Sequence, residues 1–145
     1  MRISLASDSL DGIAPILMPE IRKRGHTVIG HGAMTDERAD WAWCCSRTAE
    51  DVASGVADQA VVCRWTGTGA SIAANKAPGG WAARCVDAAT AAGARRWNDA
   101  DVPPVSLRPA SAPLPEEILD AWFSGSASSD ETDLANIAYL SEIEN

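Results

Sequence analysis

A glycine- and threonine-rich stretch in the middle of the chain is the segment best suited to hold a small anionic molecule. The order Thr-Gly-Thr-Gly-Ala-Ser at residues 66–71 follows an apolar run and opens a helical pattern. A loop of this kind between a strand and a helix lets backbone N–H groups converge on negative charge. Because such glycine turns are more often structural than ligand-binding, the loop alone does not define a function.

Four side chains close to this loop in the expected fold could handle a proton or an anion. Cys63 and Arg64 precede the loop, and Asp8 and Ser9 follow the first apolar run. A carboxylate or a thiolate can act as a general base, whereas a guanidinium stays protonated and serves only to bind anions. Strand alternation points Cys63 and Arg64 to opposite faces. Cys63 is therefore either a buried structural residue or, if a bulge turns it into the pocket, a catalytic one.

Simpler roles stand beside these catalytic ones. Asp8 could cap the segment after the first strand, Asn98 could belong to a turn, and Arg64 could pair with an acidic neighbour. Tryptophans are core or interface residues by default.

Short apolar runs alternate with helical patterns along the chain, which is typical of a parallel α/β sheet. Pro103 and Pro104 cannot donate ladder hydrogen bonds, so the last strand is expected to be broken or at an edge. We predict an α/β, Rossmann-like three-layer α/β/α sandwich with a five-stranded, mostly parallel sheet and a pocket at the carboxyl ends of strands one and three. The predicted strands are residues 3–6, 27–29, 59–63, 81–85 and about 102–107, and the predicted helices are 11–24, 37–54, 71–76, 87–97 and 114–124.

Charge and composition limit the partners of the chain. The 145 residues carry a net charge of −8, and the part after Arg108 has no Lys, Arg or His. We therefore expect no nucleic-acid partner and no metal, since only two histidines are present and no cysteine pair has zinc spacing. No apolar run approaches the roughly 20 residues that cross a bilayer, and no signal peptide is recognisable, so we expect a cytoplasmic protein without a membrane partner. Residues 126–145 are expected to form an acidic, helical C-terminal tail after a domain at residues 1–125.

The longer string at residues 66–76, which continues with Ile-Ala-Ala-Asn-Lys, resembles the loop and helix of the type B ribose-5-phosphate isomerase and galactose-6-phosphate isomerase family. Ser-Asp at residues 7–8 stands where that family has Ser-Asp-His, and Gly-His-Thr-Val-Ile at residues 25–29 resembles its Gly-His-Glu-Val-Ile. Arg-Cys at residues 84–85 matches the end of its Ala-Leu-Cys, and residues 96–102 resemble its Glu-His-Asn-Asp-Ala-Asn-Val. The resemblance extends over about residues 2–125 and identifies the chain as a diverged member with a sugar-phosphate isomerase-like α/β domain.

The resemblance implies an isomerase of aldose and ketose phosphates that needs no metal or organic cofactor. A base removes the proton next to the carbonyl, and the loop amides stabilise the resulting enediolate. The family's site lies between two subunits, which implies a homodimer or a dimer of dimers. In this arrangement Asp8 and residues 66–71 of one chain would meet Asn98 and Arg108 of the other. The positions that match functional or pocket-lining residues of the family are Asp8, Thr66, Gly67, Gly69, Ser71, Asn98 and Arg108.

Several positions depart from the family pattern. Arg64 takes the place of the catalytic cysteine, and Ser9 takes that of a histidine that binds or opens the sugar. Trp97 takes the place of a partner-subunit histidine, and the acidic tail lacks the family's phosphate-binding arginines. Trp65 and Trp97 both replace smaller or polar pocket residues, which favours a larger or less polar ligand than a pentose phosphate.

Three functions are consistent with this pattern. The first is a cofactor-free isomerase or tautomerase that acts through an enediolate-type intermediate on a sugar-like or other enolisable carbonyl compound, with weak or no ribose-5-phosphate activity. Asp8 or a repositioned Cys63 would be its base, and Arg64 and Arg108 would hold an anionic group such as a carboxylate. The second is a non-catalytic subunit or binding module that pairs with an intact relative. The third is a repurposed enzyme that acts on a bulkier biosynthetic intermediate in the same pocket.

Overall fold

The chain folds around a four-stranded parallel sheet in a computed structural model that describes residues 1–108, 111 and 113–144. The spatial order of the strands is β2-β1-β3-β4, and all three neighbouring pairs are parallel. The central strand β1 is buried from its second residue onward, as expected for a parallel strand covered on both faces. The strands are β1 (Arg2–Ser7), β2 (Thr27–Gly32), β3 (Gln59–Arg64) and β4 (Pro104–Ser106).

Helices cover both faces of this sheet. One apolar core lies under α1, α4 and α5 and includes Leu5, Leu17 and Trp122, whose indole N–H donates to Gln59 Oε1 at 3.0 Å. A second core, which includes Val62, lies under α2 and α3. The α/β fold with a parallel sheet is thus confirmed. The helices within the described residues are α1 (Ala14–Lys23), α2 (Trp41–Ala53), α3 (Thr68–Ala74), α4 (Ala88–Asn98), α5 (Leu114–Ser124) and α6 (Glu131–Glu144).

The predicted fifth strand at residues 81–85 is wrong, because this segment makes only one isolated parallel bridge, between Ala82 and Val102. The Ala83 N–H donates to Val102 O and the Cys85 N–H donates to Pro104 O, both at 3.0 Å. The intervening bond of a parallel ladder would run from the amide of residue 104 to Ala83 O. Pro104 has no N–H, so the ladder is interrupted there.

The helix boundaries follow local capping residues. Helix α2 begins at Trp41 rather than at residue 37, because Asp40 is extended and its carboxylate accepts the Trp43 N–H. Helix α4 begins after Asp87, which forms a capping box with Thr90. Helix α5 has the predicted limits. The predicted acidic tail forms α6, whose residues are all at least partly exposed, and the division of the chain near residue 125 remains a prediction.

A polar cluster centred on the buried side chains of Ser4, His31 and Asp51 links α2 to β1 and β2. His31 Nδ1 lies 2.8 Å from Glu37 Oε2, and its Nε2 lies 2.7 Å from Asp51 Oδ2. The Ser4 hydroxyl donates to the same Asp51 oxygen at 2.8 Å, and Arg47 Nη2 lies 3.3 Å from the other. Each ring nitrogen of His31 thus faces one carboxylate oxygen. Ser4 and Arg47 contact the two oxygens of Asp51, so the cluster joins residues of β1, β2 and α2.

Candidate active site at the carboxyl edge of the sheet

Two charged side chains meet where β1 and β3 end. Ser7 and Cys63 are partners in the register of these strands, so Asp8 and Arg64, which follow them, emerge side by side. The Arg64 Nε–H donates to Asp8 Oδ2 at 3.1 Å. The side chains remain 30% and 21% exposed respectively, so a ligand could reach both. Arg64 therefore has the acidic partner that the sequence allowed for, and that partner is the candidate base.

The Arg64 guanidinium lies over an aromatic ring. Its Cζ lies 4.7 Å from the ring centroid of Trp41, the first residue of α2. A Cβ at Gly69 would lie 3.1 Å from Arg64 Nη1 and 3.3 Å from the Trp41 ring, so glycine keeps this space open. Within the described part of the chain, the terminal nitrogens of Arg64 have no hydrogen-bond acceptor. They can therefore donate to an anionic group of a ligand.

The glycine loop turns sharply beside this pair. Gly67 has φ +78°, a left-handed conformation that favours glycine, and its N–H donates to Arg64 O at 2.9 Å. The Thr66 and Thr68 hydroxyls are 2.8 Å apart on the exposed side of the loop. Ser71 lies one turn into α3 and donates its N–H to Gly67 O at 3.0 Å. The first turn of α3 leaves backbone N–H groups without helical partners, as in any helix, and they lie next to Arg64.

Cys63 points away from this edge, into the core beneath α1 and α5. It is fully buried, its thiol donates to Ala6 O at 3.6 Å, and β3 has no bulge that would turn it outward. Burial raises the pKa of the Cys63 thiol to about 12. Very little thiolate exists near neutral pH, which supports the structural alternative for Cys63 over the catalytic one.

Ser9, Trp65 and Arg108 lie around the same edge. The Ser9 carbonyl accepts from the Ser7 hydroxyl at 2.6 Å, which fixes the start of the connection to α1. Trp65 is 55% exposed, and the Arg108 Cζ lies 4.9 Å from its ring centroid. Arg108 thus contacts the loop of its own chain, and its expected place at the site of a second chain remains a prediction.

Trp97 and Asn98 lie at the opposite edge of the sheet. Helix α4 starts after residues 81–85 and returns to the segment that leads into β4, so its last residues lie near the amino ends of the strands. Trp97 is 57% exposed there. One chain alone does not bring these two residues to Asp8, and any role in the site requires a second chain.

Two residues of this edge were not predicted from the sequence. Trp41, which stacks on Arg64, lies 23 positions earlier in the chain and carries no local signal for this contact. The Arg84 Nε–H donates to Thr66 O at 2.8 Å, which places a second guanidinium against the glycine loop. The replacement of the leucine in the family's Ala-Leu-Cys string by Arg84 could have drawn attention to it.

The fold and this site define the class of the protein: an α/β protein with a parallel sheet, a strand–glycine loop–helix unit, and charged groups at the carboxyl ends of the strands. Among the described residues, no cluster of three or more His, Cys, Asp or Glu is arranged to hold a metal ion. None of the described helices has the length and hydropathy needed to cross a membrane.

Comparisons with known proteins place the chain within one family. The family model described as Ribose/Galactose Isomerase matches residues 3–138, and the chain belongs to this family. It is 35% identical over 106 residues to ribose-5-phosphate isomerase B of Escherichia coli (strain K12), covering 73% of this chain and 71% of that protein. It is 37% identical over 102 residues to galactose-6-phosphate isomerase subunit LacB of Clostridium acetobutylicum, covering 70% of this chain but only 59% of that protein.

Solved structures give the same result. The type B ribose 5-phosphate isomerase of Trypanosoma cruzi superposes with a TM-score of 0.88 at 30% identity, covering 99% of this chain and 98% of that one. The ribose-5-phosphate isomerase B of Clostridium thermocellum gives a TM-score of 0.90 at 31% identity, with 99% and 97% covered. The family predicted from the glycine-loop string is confirmed.

Proposed function

We propose that this protein is a cofactor-free isomerase or tautomerase that acts on an enolisable carbonyl compound carrying an anionic group, such as a sugar acid. The observation that carries the proposal is the Asp8–Arg64 pair beside an intact glycine loop. The pair and the loop together place three groups at one edge of the sheet: a carboxylate, a guanidinium whose terminal nitrogens have no acceptor among the described residues, and backbone amides. We further propose a cytoplasmic location and weak or no activity on ribose 5-phosphate.

In the proposed reaction, Asp8 acts as the base. One of its oxygens accepts the Arg64 N–H, and within the described residues its other oxygen has no partner, so it can take the proton next to the substrate carbonyl. The electron pair of that C–H bond forms a carbon–carbon double bond, and the π electrons of the carbonyl group move to its oxygen, which gives an enediolate. Thr66 and the amides of the glycine loop stabilise the negative oxygen. The proton of the adjacent hydroxyl group passes to this oxygen while Asp8 returns its proton to the former carbonyl carbon, so that the new carbonyl group forms on the adjacent carbon.

Arg64 is the reason for expecting weak activity on ribose 5-phosphate. It cannot replace the family's catalytic cysteine as a base, and loss of a positioned base typically costs about 10²–10⁴-fold in rate. A coupled assay at millimolar ribose 5-phosphate should give a rate at least about a thousandfold below that of the E. coli relative. Arg64→Cys restores the family residue and releases Asp8, so we expect it to recover measurable turnover. Wild-type turnover comparable to that of the relative would contradict this expectation.

Proton exchange in D₂O tests the proposed base directly. Incubation with glucuronate, a sugar that carries a carboxylate, should introduce deuterium next to its carbonyl group, detected by NMR. Asp8→Asn should abolish this exchange. Asp58→Asn is a matched control, because Asp58 pairs with Arg2 at the start of β1, far from the site. Exchange that survives in Asp8→Asn would rule out Asp8 as the base.

A second function is favoured by the same ion pair. Arg64 covers one side of Asp8 and thereby limits access of a substrate proton, as would suit a non-catalytic subunit that pairs with an intact relative. This alternative predicts no deuterium exchange by the wild-type protein on glucuronate or ribose 5-phosphate, together with a stable complex with an intact family member.

The exposed Trp65 suits the third candidate function, a repurposed enzyme that acts on a bulkier molecule. Deuterium exchange on larger carbonyl compounds only would support this candidate.

We also propose that the protein forms a homodimer or a dimer of dimers. Trp97 and Asn98 are remote from the site of their own chain, and α6 exposes four apolar side chains that a second copy could cover. Light scattering at micromolar concentration should report at least a dimer, and a monomer would contradict the proposal. The exposed apolar residues of α6 are Leu134, Tyr139, Leu140 and Ile143.

A further inference from the structure

A cavity of about 200 Å³ opens behind the glycine loop, between α1, α5 and the end of β4. Its floor is apolar and includes Ile13, Leu17, Leu114 and Ile118. Arg84 and Arg108 line its rim. We propose that this cavity binds a small organic acid, whose apolar body lies between α1 and α5 and whose carboxylate pairs with Arg84 and Arg108.

The floor of the cavity is separate from the Asp8–Arg64 pair, whereas its rim residues, Arg84 and Arg108, border the same glycine loop. Its wall includes Val105, which belongs to the core beneath α1 and α5, as does Cys63. Arg64 alternates with Cys63 along β3 and stacks on Trp41, which packs against the core on the other face of the sheet. The apolar body of the proposed ligand therefore lies on the opposite face of the sheet from the Asp8–Arg64 pair, and its carboxylate lies at the glycine loop between the two sites. The inference does not depend on the proposed isomerase function.

Arg84 has the geometry to receive a carboxylate. Its Nε–H is committed to Thr66 O at 2.8 Å, and this bond orients the guanidinium. Its two terminal nitrogens have no acceptor in the part of the chain that the structure describes. A guanidinium with two free N–H groups in a plane can bind both oxygens of a carboxylate.

Arg84 and Arg108 are exposed at the mouth of the cavity. They form no ion pair with the described residues, as is also true of Arg22, Lys76 and Arg96. Neither Arg84 nor Arg108 contacts a carboxylate of the described residues, and Arg108 instead lies over Trp65. The geometric argument is their shared position: both guanidinium groups line the mouth of one apolar cavity, so both can reach the carboxylate of a ligand whose body lies inside.

Size and lining define the class of ligand. An apolar cavity of about 150 Å³ is large enough to hold benzene, so about 200 Å³ accommodates a single ring with a carboxylate at the rim. A sugar phosphate suits this space poorly, because its hydroxyl groups would find few partners among the aliphatic side chains of α1 and α5. A monocyclic or short-chain carboxylic acid fits both the floor and the rim.

Calorimetric titration of the full-length protein with phenylacetate, and with its neutral analogue phenylacetamide, tests the proposal. We expect phenylacetate to bind at least about tenfold more tightly than the amide, which corresponds to about 1.4 kcal/mol. Arg84→Gln should remove this preference for the acid, and Arg108→Gln should reduce it. Arg96→Gln is the matched control, because Arg96 is an exposed arginine of α4 outside the cavity, and it should leave the preference unchanged.

Three results would overturn the proposal. The first is the absence of saturable phenylacetate binding up to about 10 mM, well above the 1 mM Kd of a weak site. The second is equal affinity of the wild-type protein for the acid and the amide, which would show an apolar cavity without a carboxylate site. The third is loss of binding in Arg64→Gln but not in Arg84→Gln, which would place the acid at the candidate active site.

Discussion

Replacement of Asp101 by asparagine should stabilise the protein, and the gain should depend on pH. Asp101 lies just before β4, and its Oδ1 accepts the Trp81 N–H at 2.8 Å. Burial raises the pKa of the Asp101 carboxyl to about 6, because the ionised form loses much of its hydration. Asparagine retains an oxygen that accepts the same hydrogen bond but carries no charge. It is also the residue that the related family sequence has at this position.

The magnitude follows from the difference between the two pKa values. With a pKa of about 6 in the folded state and about 3.8 in the unfolded state, the raised pKa corresponds to about 3 kcal/mol at pH 8. Between pH about 3.8 and pH about 6 the folded state binds more protons at Asp101 than the unfolded state does. The free energy of unfolding therefore falls as the pH rises through this range, and the contribution of Asp101 is constant at higher pH. The carboxyl group keeps some access to water, so we expect Asp101→Asn to gain about 1–2 kcal/mol at pH 8 and almost nothing at pH 4.

Thermal unfolding at the two pH values measures this effect. For a chain of this length, a gain of about 1–2 kcal/mol raises the Tm by about 3–7 °C. Asp58→Asn is the control, because the pKa of Asp58 is shifted in the opposite direction: the Arg2 guanidinium lowers it to about 2. Removing the charge of Asp58 should therefore not raise the Tm. The reasoning is refuted if Asp101→Asn lowers the Tm at pH 8, or if its effect is equal at pH 4 and pH 8.

Two further predictions concern stability. His31→Ala removes one of the partners of the buried Asp51 but leaves Ser4 and Arg47, so urea denaturation should show a loss of about 1–3 kcal/mol; an unchanged free energy of unfolding would contradict a stabilising role of His31. Gly12→Ala places a Cβ 2.0 Å from Leu107 O at φ +56°, so the Tm should fall strongly. Gly55→Ala, at φ +74° but with nothing within 4 Å of the new Cβ, should lower the stability only by the cost of the left-handed backbone conformation, about 1–2 kcal/mol. Equal losses in the two glycine variants would contradict the role of the contact with Leu107.

Features that depend on neighbouring residues were predictable from the sequence. The limits of α5 follow from its prolines, its apolar face and Gly125, and the glycine-loop string indicated both the family and the turn at Gly67. Strand alternation in β3 correctly separated Cys63 from Arg64, because the side chains of successive strand residues point to opposite faces.

Features that depend on distant contacts were not predictable. The stacking of Arg64 on Trp41 requires the position of α2 over the sheet, which no local pattern specifies. The same is true of the bond between Arg84 and Thr66 O. The fifth strand was predicted because residues 81–85 have a suitable composition, but its ladder needs an amide hydrogen that Pro104 does not have. The prediction from the proline pair that the last strand lies at an edge is confirmed, since β4 is the outermost strand, but the effect of Pro104 on residues 81–85 was not foreseen.

The exposure of α6 has a consequence for how the molecule opens. This helix contributes no fully buried residue, and its contacts with the rest of the chain are mainly with α4, together with a bond of 3.3 Å from Trp81 Nε1 to Glu144 Oε1. Its hydrogen bonds can therefore break without disturbing either core, so its amides should exchange with solvent through a local opening, independently of global unfolding. If a second copy covers α6, that opening is linked by mass action to protein concentration, and dilution should accelerate exchange in α6 before it affects β1.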